Sequence, residues 1–378
     1  MFNNIYKDKT VLITGIKGFK GSWLAFWLNK LGAKVVGYSD YPTYERFTEP
    51  PKKSIYLYHN LGIRKIDLNP KPCDILNVET LNKVFNKFNP DIVFHLAAQP
   101  IVKTSYEDPI NTYNTNVIGT LNVLEAARNC KSVKAFINVT TDKVYENIES
   151  LGYKYKETDA LSKSGDPYSN SKALCESLTE SYRKSFLTYS DSFKLVSVRS
   201  GNVIGGGDWH YRLIPQTICN IREKNIIKLV KDESYRPWMF VFDTLAGYLR
   251  VGQVLLDNKH EYSHSFNFAP NINDALSVNN VIDILCNEWI DETLPKPEII
   301  HIENLDGFKQ SNILQLDNTL AKAELDVYPV WDTERAIIET VKWYKTFFTN
   351  PKKLIKLAEN QLNGFITKAE SMKLAWTV

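Results

Sequence analysis

The chain has 378 residues, 43% of them hydrophobic and 24% charged, with a formal net charge of +3; this is an ordinary globular composition, long enough for two domains and a sizeable core. The small net charge, without a dense basic stripe interleaved with aromatics, argues against nucleic acid as a partner, and no uncharged apolar run reaches the roughly 18 residues of a membrane span. The N-terminus, MFNNIYKDKT, enters a strand pattern without a secretory signal, so the cytosol is the expected compartment and no membrane partner is expected.

Up to about residue 200, short apolar runs alternate with stretches of helical period. Runs at 10–14, 34–38, 63–67, 91–97, 134–140 and 194–199 predict strands, and 22–31, 78–88, 111–130 and 169–186 predict helices. That alternation predicts an α/β fold, a Rossmann-type doubly wound parallel sheet with helices on both faces, which binds ligands beyond the carboxyl ends of its strands. The pattern weakens at Gly205-Gly206-Gly207. A helix is expected at 213–224, the segments 238–253 and 265–269 are expected to return to the first domain, and 274–346 reads as mixed α and β. The tail 350–378 carries lysines and reads as one or two solvated helices. The expected division is 1–200, with about 237–273 returning to it, as a dinucleotide domain, and 201–236 with 274–378 as a smaller substrate domain.

The first strand is followed by Gly15, Gly18 and Gly21 in GIKGFKG, opening directly into a helix. Such glycines let the backbone turn tightly and approach a pyrophosphate held by the free amides of the helix N-terminus. Strand before and helix after make dinucleotide binding a stronger reading than a glycine turn needed only for packing. Asp40, after the second strand, stands where a ribose-binding carboxylate belongs, or is a turn residue beside Pro42. As a ribose ligand it favours NAD, while Arg46 nearby leaves NADP open.

His95 lies inside an apolar run and reads as a satisfied core histidine; neither the histidines nor Cys73, Cys130, Cys175, Cys219 and Cys286 show metal-ligand or disulfide spacing, so no metal is expected. At the end of the expected fifth strand comes TTDKVY (140–145), which packs hydroxyl, carboxylate and ammonium groups at the sheet's edge. Tyr168 and Lys172 follow Asp166-Pro167 at a helix start, four residues apart and on one face. A phenol with a pKa of about 10 becomes a usable base when an ammonium stabilises its anion, and can then take an alcohol proton while hydride leaves the same carbon. On its own, the pair Asp142 and Lys143 reads first as an exposed ion pair worth roughly 0–1 kcal/mol, and only the surrounding motifs favour chemistry.

The motifs GIKGFKG (15–21), HLAAQP (95–100), NVIGT (116–120), TTDKVY (140–145), YSNSK (168–172) and RSGNV (199–203) run in this order through most of residues 10–250. Together they resemble the extended short-chain dehydrogenase/reductase family, and within it the nucleotide-sugar 4,6-dehydratases. In that group the hydroxyl residue, here Thr141, is followed by an acid and usually a glutamate; Asp142 matches and Lys143 replaces the glutamate. The branch of CDP-glucose 4,6-dehydratases has Thr-Asp-Lys there, with GFKGSWL, GNVIGGGDW, RLIP and RPW, all present at 18–24, 201–209, 212–215 and 236–238.

The resemblance implies a lyase with a tightly held NAD that is recycled within each turnover. Tyr168, Lys172 and Thr141 would serve oxidation at carbon 4 of the hexose, Lys143 would act as base at carbon 5 and Asp142 as acid at carbon 6. It implies cofactor contacts at Gly15, Gly18, Phe19, Gly21, Asp40, Asp74, Ile75, Leu96, Ala97, Ala98, Gln99, Asn116, Tyr168 and Lys172. It implies substrate contacts at Ser105, Tyr106, Asn202, Arg212, Leu213 and Arg236. A homodimer paired through 111–130 and 169–186, and a place in deoxysugar synthesis for surface polysaccharide, complete the expectation. The alternatives are a dehydratase or epimerase for another nucleotide sugar and, in a different class, a non-catalytic dinucleotide sensor, against which the intact Thr141, Tyr168 and Lys172 argue.

Overall fold

Val11, Leu12 and Ile13 are fully buried because helices cover both faces of the sheet they enter, so an unbroken apolar run rather than an alternating one is what this strand needs. The computed structural model describes residues 1–40, 56–148, 150, 152–163, 165–187, 193–208, 212–224, 226–230, 235–257, 264–271, 274, 276–289, 297–302 and 314–378. Arg46 and Trp209 lie outside the described residues.

The first part contains β1 (Thr10–Thr14), α1 (Phe19–Lys30), β2 (Lys34–Tyr38), a short α2 (Leu57–Asn60), α3 (Val78–Phe88) and β3 (Ile92–His95). It continues with α4 (Val102–Glu107), α5 (Pro109–Tyr113), α6 (Gly119–Arg128), β4 (Ala135–Val139), β5 (Lys154–Tyr155), α7 (Pro167–Phe186) and β6 (Lys194–Ser200). After residue 200 come β7 (Asn202–Ile204), α8 (Leu213–Lys224), β8 (Ile226–Val230), β9 (Tyr235–Arg236), β10 (Trp238–Phe240), α9 (Val241–Leu256) and β11 (Phe266–Phe268). The last elements are β12 (Leu276–Ser277), α10 (Val278–Trp289), β13 (Glu298–Ile302), β14 (Gln315–Leu316), α11 (Thr319–Leu325), α12 (Thr333–Thr349) and α13 (Leu354–Ser371).

The central sheet has the order β11-β6-β4-β3-β1-β2, and every pairing in it is parallel. Successive residues point to opposite faces, so Val11, Ile13, Ile92, Phe94 and Ile137 join the core under α1 and α9, while Leu12, Val93 and Phe136 join the core under α3 and α6. The chain leaves β1 for β2 on one side and then crosses to β3 on the other. A crevice therefore opens beyond the ends of β1 and β3, the position where such sheets bind ligands. The sheet receives β11 and α9 from after residue 240, while β8 pairs β13 and β9 pairs β12 in small separate sheets.

Two expectations are corrected. The run 63–67 is no strand: Gly62, at φ 69°, starts a 3₁₀ turn at Ile63–Lys65, and Asp67 is held by the Tyr58 hydroxyl and the Gly37 amide. The strand before TTDKVY is consequently the fourth. The stretch 111–130 is helical as expected up to Arg128, with one wide π turn at Asn114–Ile118 joining α5 to α6. The tail is docked rather than solvated, because Leu354, Ala358, Leu362, Phe365 and Ala369 form a helical stripe, and Phe365 and Trp376 pack against Trp27, with Trp376 stacked on Phe2. Burying an aromatic of this size contributes about 1.5–3 kcal/mol, enough to hold the tail on α1. No helix among the described residues is long and apolar enough to cross a membrane.

Candidate active site

The glycines divide their work. Gly15 turns out of β1 at φ 71°, and a Cβ there would lie 2.8 Å from Ala97 N; a Cβ on Gly21 would lie 2.2 Å from Gly15 O. These two permit close packing of the loop on the β3 exit and on α1. Gly18 is the exposed N-cap of α1, and no side chain caps that N-terminus. An uncapped helix N-terminus at the sheet's crevice suits a pyrophosphate. Asp40 lies half-buried just past β2, Ile75 packs against Gly119, and Asp74 is exposed beside it. The donor set thus fits a dinucleotide.

The β3 exit is held by a chain of hydroxyls. Leu96 N and Ala97 N donate to Thr14 Oγ1, which lies 2.6 Å from His95 Nδ1; His95 Nε2 lies 3.0 Å from Thr120 Oγ1, which donates to Asn116 O. Since Thr120 spends its proton on Asn116, His95 donates from Nε2 and accepts at Nδ1. Burial, aided by Lys172, pushes its pKa down to about 3, so it is neutral. Asn116 in turn accepts from Gln99 N and donates to Ser171 Oγ on α7. The core-histidine reading of His95 therefore holds, and the residue braces Leu96, Ala97, Ala98 and Gln99.

At the other end, α7 begins with Asp166 as N-cap and Pro167 at its first position, which fixes where Tyr168 and Lys172 emerge. Thr141 caps the 3₁₀ turn Asp142–Val144, and its hydroxyl donates to Asp142 Oδ1 at 2.9 Å. Thr141 also sits beside Tyr168 and opposes the rise of its pKa. Lys172 Nζ donates to Val139 O at 3.2 Å. The five residues assigned to chemistry thus converge on the end of β4, all buried except the half-buried Lys143.

Burial raises the Asp142 pKa against the opposing pull of Lys143, and burial lowers that of Lys143 against the opposing pull of Asp142. Each is pushed toward its neutral form, the acid protonated and the amine free, as an acid and a base require. The exposed ion-pair reading fails here, since the Asp142 carboxylate is buried and bonded to Thr141. One expectation is corrected. Burial pushes the Tyr168 phenol up to about 12 against the opposing pull of Thr141, and Lys172 itself is lowered, chiefly by burial.

Of the residues expected at the substrate, Asn202 and Leu213 are half-buried near the sheet's edge, and Arg236 sits on β9. Arg212 is exposed, with Nη2 3.3 Å from Pro100 O. Tyr106 is half exposed, but Ser105 is fully buried and its hydroxyl donates to Val102 O at 2.6 Å. Ser105 thus braces its own helix. Sequence reasoning missed Lys20, Gly201 and the pair Glu176 and Arg199. Glu176, one turn beyond Lys172, accepts from Thr140, Ser197 and Arg199, and so anchors the TTDKVY turn from below.

A parallel Rossmann sheet with a glycine loop after β1 and a Tyr-Lys pair opening α7 defines a short-chain dehydrogenase/reductase of the extended type. The NAD dependent epimerase/dehydratase family model matches residues 11–266, and the chain belongs to that family. A CDP-glucose 4,6-dehydratase of Salmonella typhimurium is 36% identical over 358 residues, covering 93% of this chain and 95% of the relative. Among solved structures, a dTDP-glucose 4,6-dehydratase from Bacillus anthracis in complex with NAD matches with a TM-score of 0.72 at 22% identity, over 92% of this chain and 99% of that one. A UDP-glucose 4-epimerase from Thermotoga maritima matches with the same TM-score, 0.72, at 21% identity, over 90% and 99%. The fold thus serves both chemistries, and the site has to discriminate between them.

Proposed function

We propose that the chain is an NAD-dependent 4,6-dehydratase that converts CDP-glucose to CDP-4-keto-6-deoxyglucose. The observation that carries the reading is the Thr141-capped turn, which sets Asp142 and Lys143 beside Tyr168 with both groups pushed toward neutrality. An epimerase has no use for that pair. Bound NAD supplies a hydride acceptor that is regenerated within the cycle and, while oxidised, a positive charge that favours the phenolate of Tyr168.

Gly15, Gly18, Phe19 and Gly21 would hold the pyrophosphate, Asp40 a ribose, and the braced segment from Leu96 to Gln99 the body of the dinucleotide. Tyr168 takes the proton of the carbon 4 hydroxyl, with Thr141 fixing the phenol and Lys172 stabilising its anion. Once carbon 4 is a ketone, the carbon 5 proton is acidic. Neutral Lys143 removes it, and protonated Asp142 delivers its proton to the carbon 6 hydroxyl, which departs as water; carbon 6 then receives the hydride that left carbon 4, and carbon 5 regains the proton held on Lys143. Arg212 and Arg236 carry the charge a diphosphate needs, and an arginine fork can bind it bidentately.

The substrate lobe in this reading combines 201–236 with the segment from 274 to about 349, while the tail stays with the dinucleotide domain. Ile110, Ile118, Leu174 and Phe186, exposed on the neighbouring α5–α6 and α7 segments, support a homodimer closed through these helices. The enzyme would act in the cytosol and supply deoxysugars for surface polysaccharide. Incubation with CDP-, dTDP-, GDP- and UDP-glucose tests the reading. A product lighter by one water, with the alkali-induced ultraviolet absorbance of a 4-keto-6-deoxysugar, formed fastest from the CDP sugar, is expected. An isomer of unchanged mass would mean an epimerase, and a faster reaction with another base would correct the substrate.

A further inference from the structure

Between the glycine loop and Asp142 lies a cation that the chemistry above does not use. Lys20 stands in the first turn of α1, two residues after Gly18. A lysine is ill placed there, since a helix N-terminus carries partial positive charge and favours anions. Its side chain nevertheless does not run out to solvent. The ammonium crosses the carboxyl edge of the sheet to the end of β6, where Nζ lies 3.2 Å from the Tyr248 hydroxyl and 3.5 Å from Ser200 Oγ. Those two hydroxyls are buried, 3.0 Å apart, and bonded to each other. Neither carries a charge to neutralise the ammonium. Arg212 and Lys172 oppose it, while the carboxylates of Asp142 and Asp208 attract it, and burial with Arg212 brings its pKa down to about 8. The ammonium also lies 5.6 Å from the Tyr248 ring centroid, so it is held by two hydroxyls and a ring face, with no carboxylate among the described residues bonded to it. A dinucleotide held at the α1 N-terminus and reaching Tyr168 would pass the carboxyl edge of the sheet that the Lys20 side chain crosses.

We propose that Lys20 is a further residue of the reaction centre, whose ammonium opposes the cationic oxidised nicotinamide and leaves the uncharged reduced ring unopposed, so that the protein favours the reduced cofactor. The inference rests on the NAD reading of the site. Favouring the reduced form suits a reaction in which the cofactor must stay in place until the hydride is returned. Two unit charges separated by a ring's width in a half-buried site shift such a preference by about ten-fold.

The test is equilibrium binding of NAD⁺ and of NADH, each alone, to the nucleotide-free full chain by calorimetry, for the wild type, Lys20→Met and Lys20→Arg. Methionine keeps the length of the stem without the charge. Lys20→Met should tighten NAD⁺ relative to NADH about ten-fold, and Lys20→Arg should keep the wild-type ratio within about two-fold. A ratio unchanged in Lys20→Met, or equal weakening of both forms, would overturn the proposal and leave Lys20 as a packing residue. Should Lys20→Met not fold, Lys20→Gln is read the same way. If the wild type binds neither form, the cofactor reading itself fails.

Discussion

Gly201 joins β6 to β7 with its Cα against Asp142, the proposed dehydration acid: a Cβ built on it would lie 2.9 Å from Asp142 Oδ2 and 3.5 Å from Asp142 Cγ. Ordinary carbon–oxygen contacts begin at about 3.3 Å, so Gly201→Ala forces the carboxyl back by roughly half an ångström. The carboxyl cannot simply retreat, since Oδ1 is tied to the Thr141 hydroxyl at 2.9 Å. The backbone at Gly201 is not in the left-handed region, so alanine is admissible there without strain of its own. A misplacement of about 1 Å at a reacting group can cost 100-fold; half of that predicts about ten-fold slower dehydration. In the proposed mechanism oxidation at carbon 4 rests on Tyr168 and Lys172 and should be nearly unchanged. Single-turnover absorbance of the reduced nicotinamide separates the two phases. Its rise should keep the wild-type rate and its decay should slow about ten-fold, so that reduced cofactor accumulates. If rise and decay slow together, or neither changes, the contact does not position Asp142.

Lys143→Met should abolish exchange of the carbon 5 proton with deuterated solvent and slow dehydration by about 10²–10⁴, the usual worth of a general base, while NAD binding survives; retained exchange would remove Lys143 from that role. Glu176→Gln leaves the buried Arg199 guanidinium without its carboxylate partner at 2.8 Å, and breaking such a pair costs about 3–5 kcal/mol; urea denaturation showing a loss below about 1 kcal/mol would refute this. Although burial opposes it, pairing with Arg199 and the hydroxyls holds the Glu176 pKa at about 2 against 4.5, so its share of stability is present above pH 4.5 and lost as pH falls through about 2. His95, held at about 3 against an unperturbed 6.5, takes up its proton more readily when unfolded. Stability should therefore fall by about 1.4 kcal/mol per pH unit below pH 6.5, and His95→Gln should flatten that slope in a pH series of urea melts.

The parallel sheet was legible because a strand buried on both faces must be apolar throughout, and five of the predicted runs are such strands. The run at 63–67 carries only Ile63 and Ile66 as apolar residues beside Arg64, Lys65 and Asp67, and Gly62 with the capture of Asp67 by Tyr58 and Gly37 makes it a turn. The tail was misjudged through its lysines. Its stripe from Leu354 to Ala369 has spacings of four, four, three and four, a pattern that betrays a docked face, whereas lysines describe only the opposite one.

The same contrast governs the site. Thr141, Asp142 and Lys143 are consecutive, and Tyr168 and Lys172 are one helical turn apart, so their geometry follows from local structure and could be read from spacing. Lys20 meets Ser200 across 180 positions, and Gly201 meets Asp142 across the β4 to β6 edge, so only the folded sheet brings them together. Local motifs therefore name the groups that move protons, and long-range contacts set the electrostatics in which they move. Charge alone shows why the second level decides the chemistry. Asp142 and Lys143 adjacent in water would form an ion pair and be useless as acid and base. With the carboxyl buried, bonded to Thr141 and backed by Gly201, and the amine half-buried, each is pushed toward neutrality, as the proposed elimination requires on a fold that also serves an epimerase.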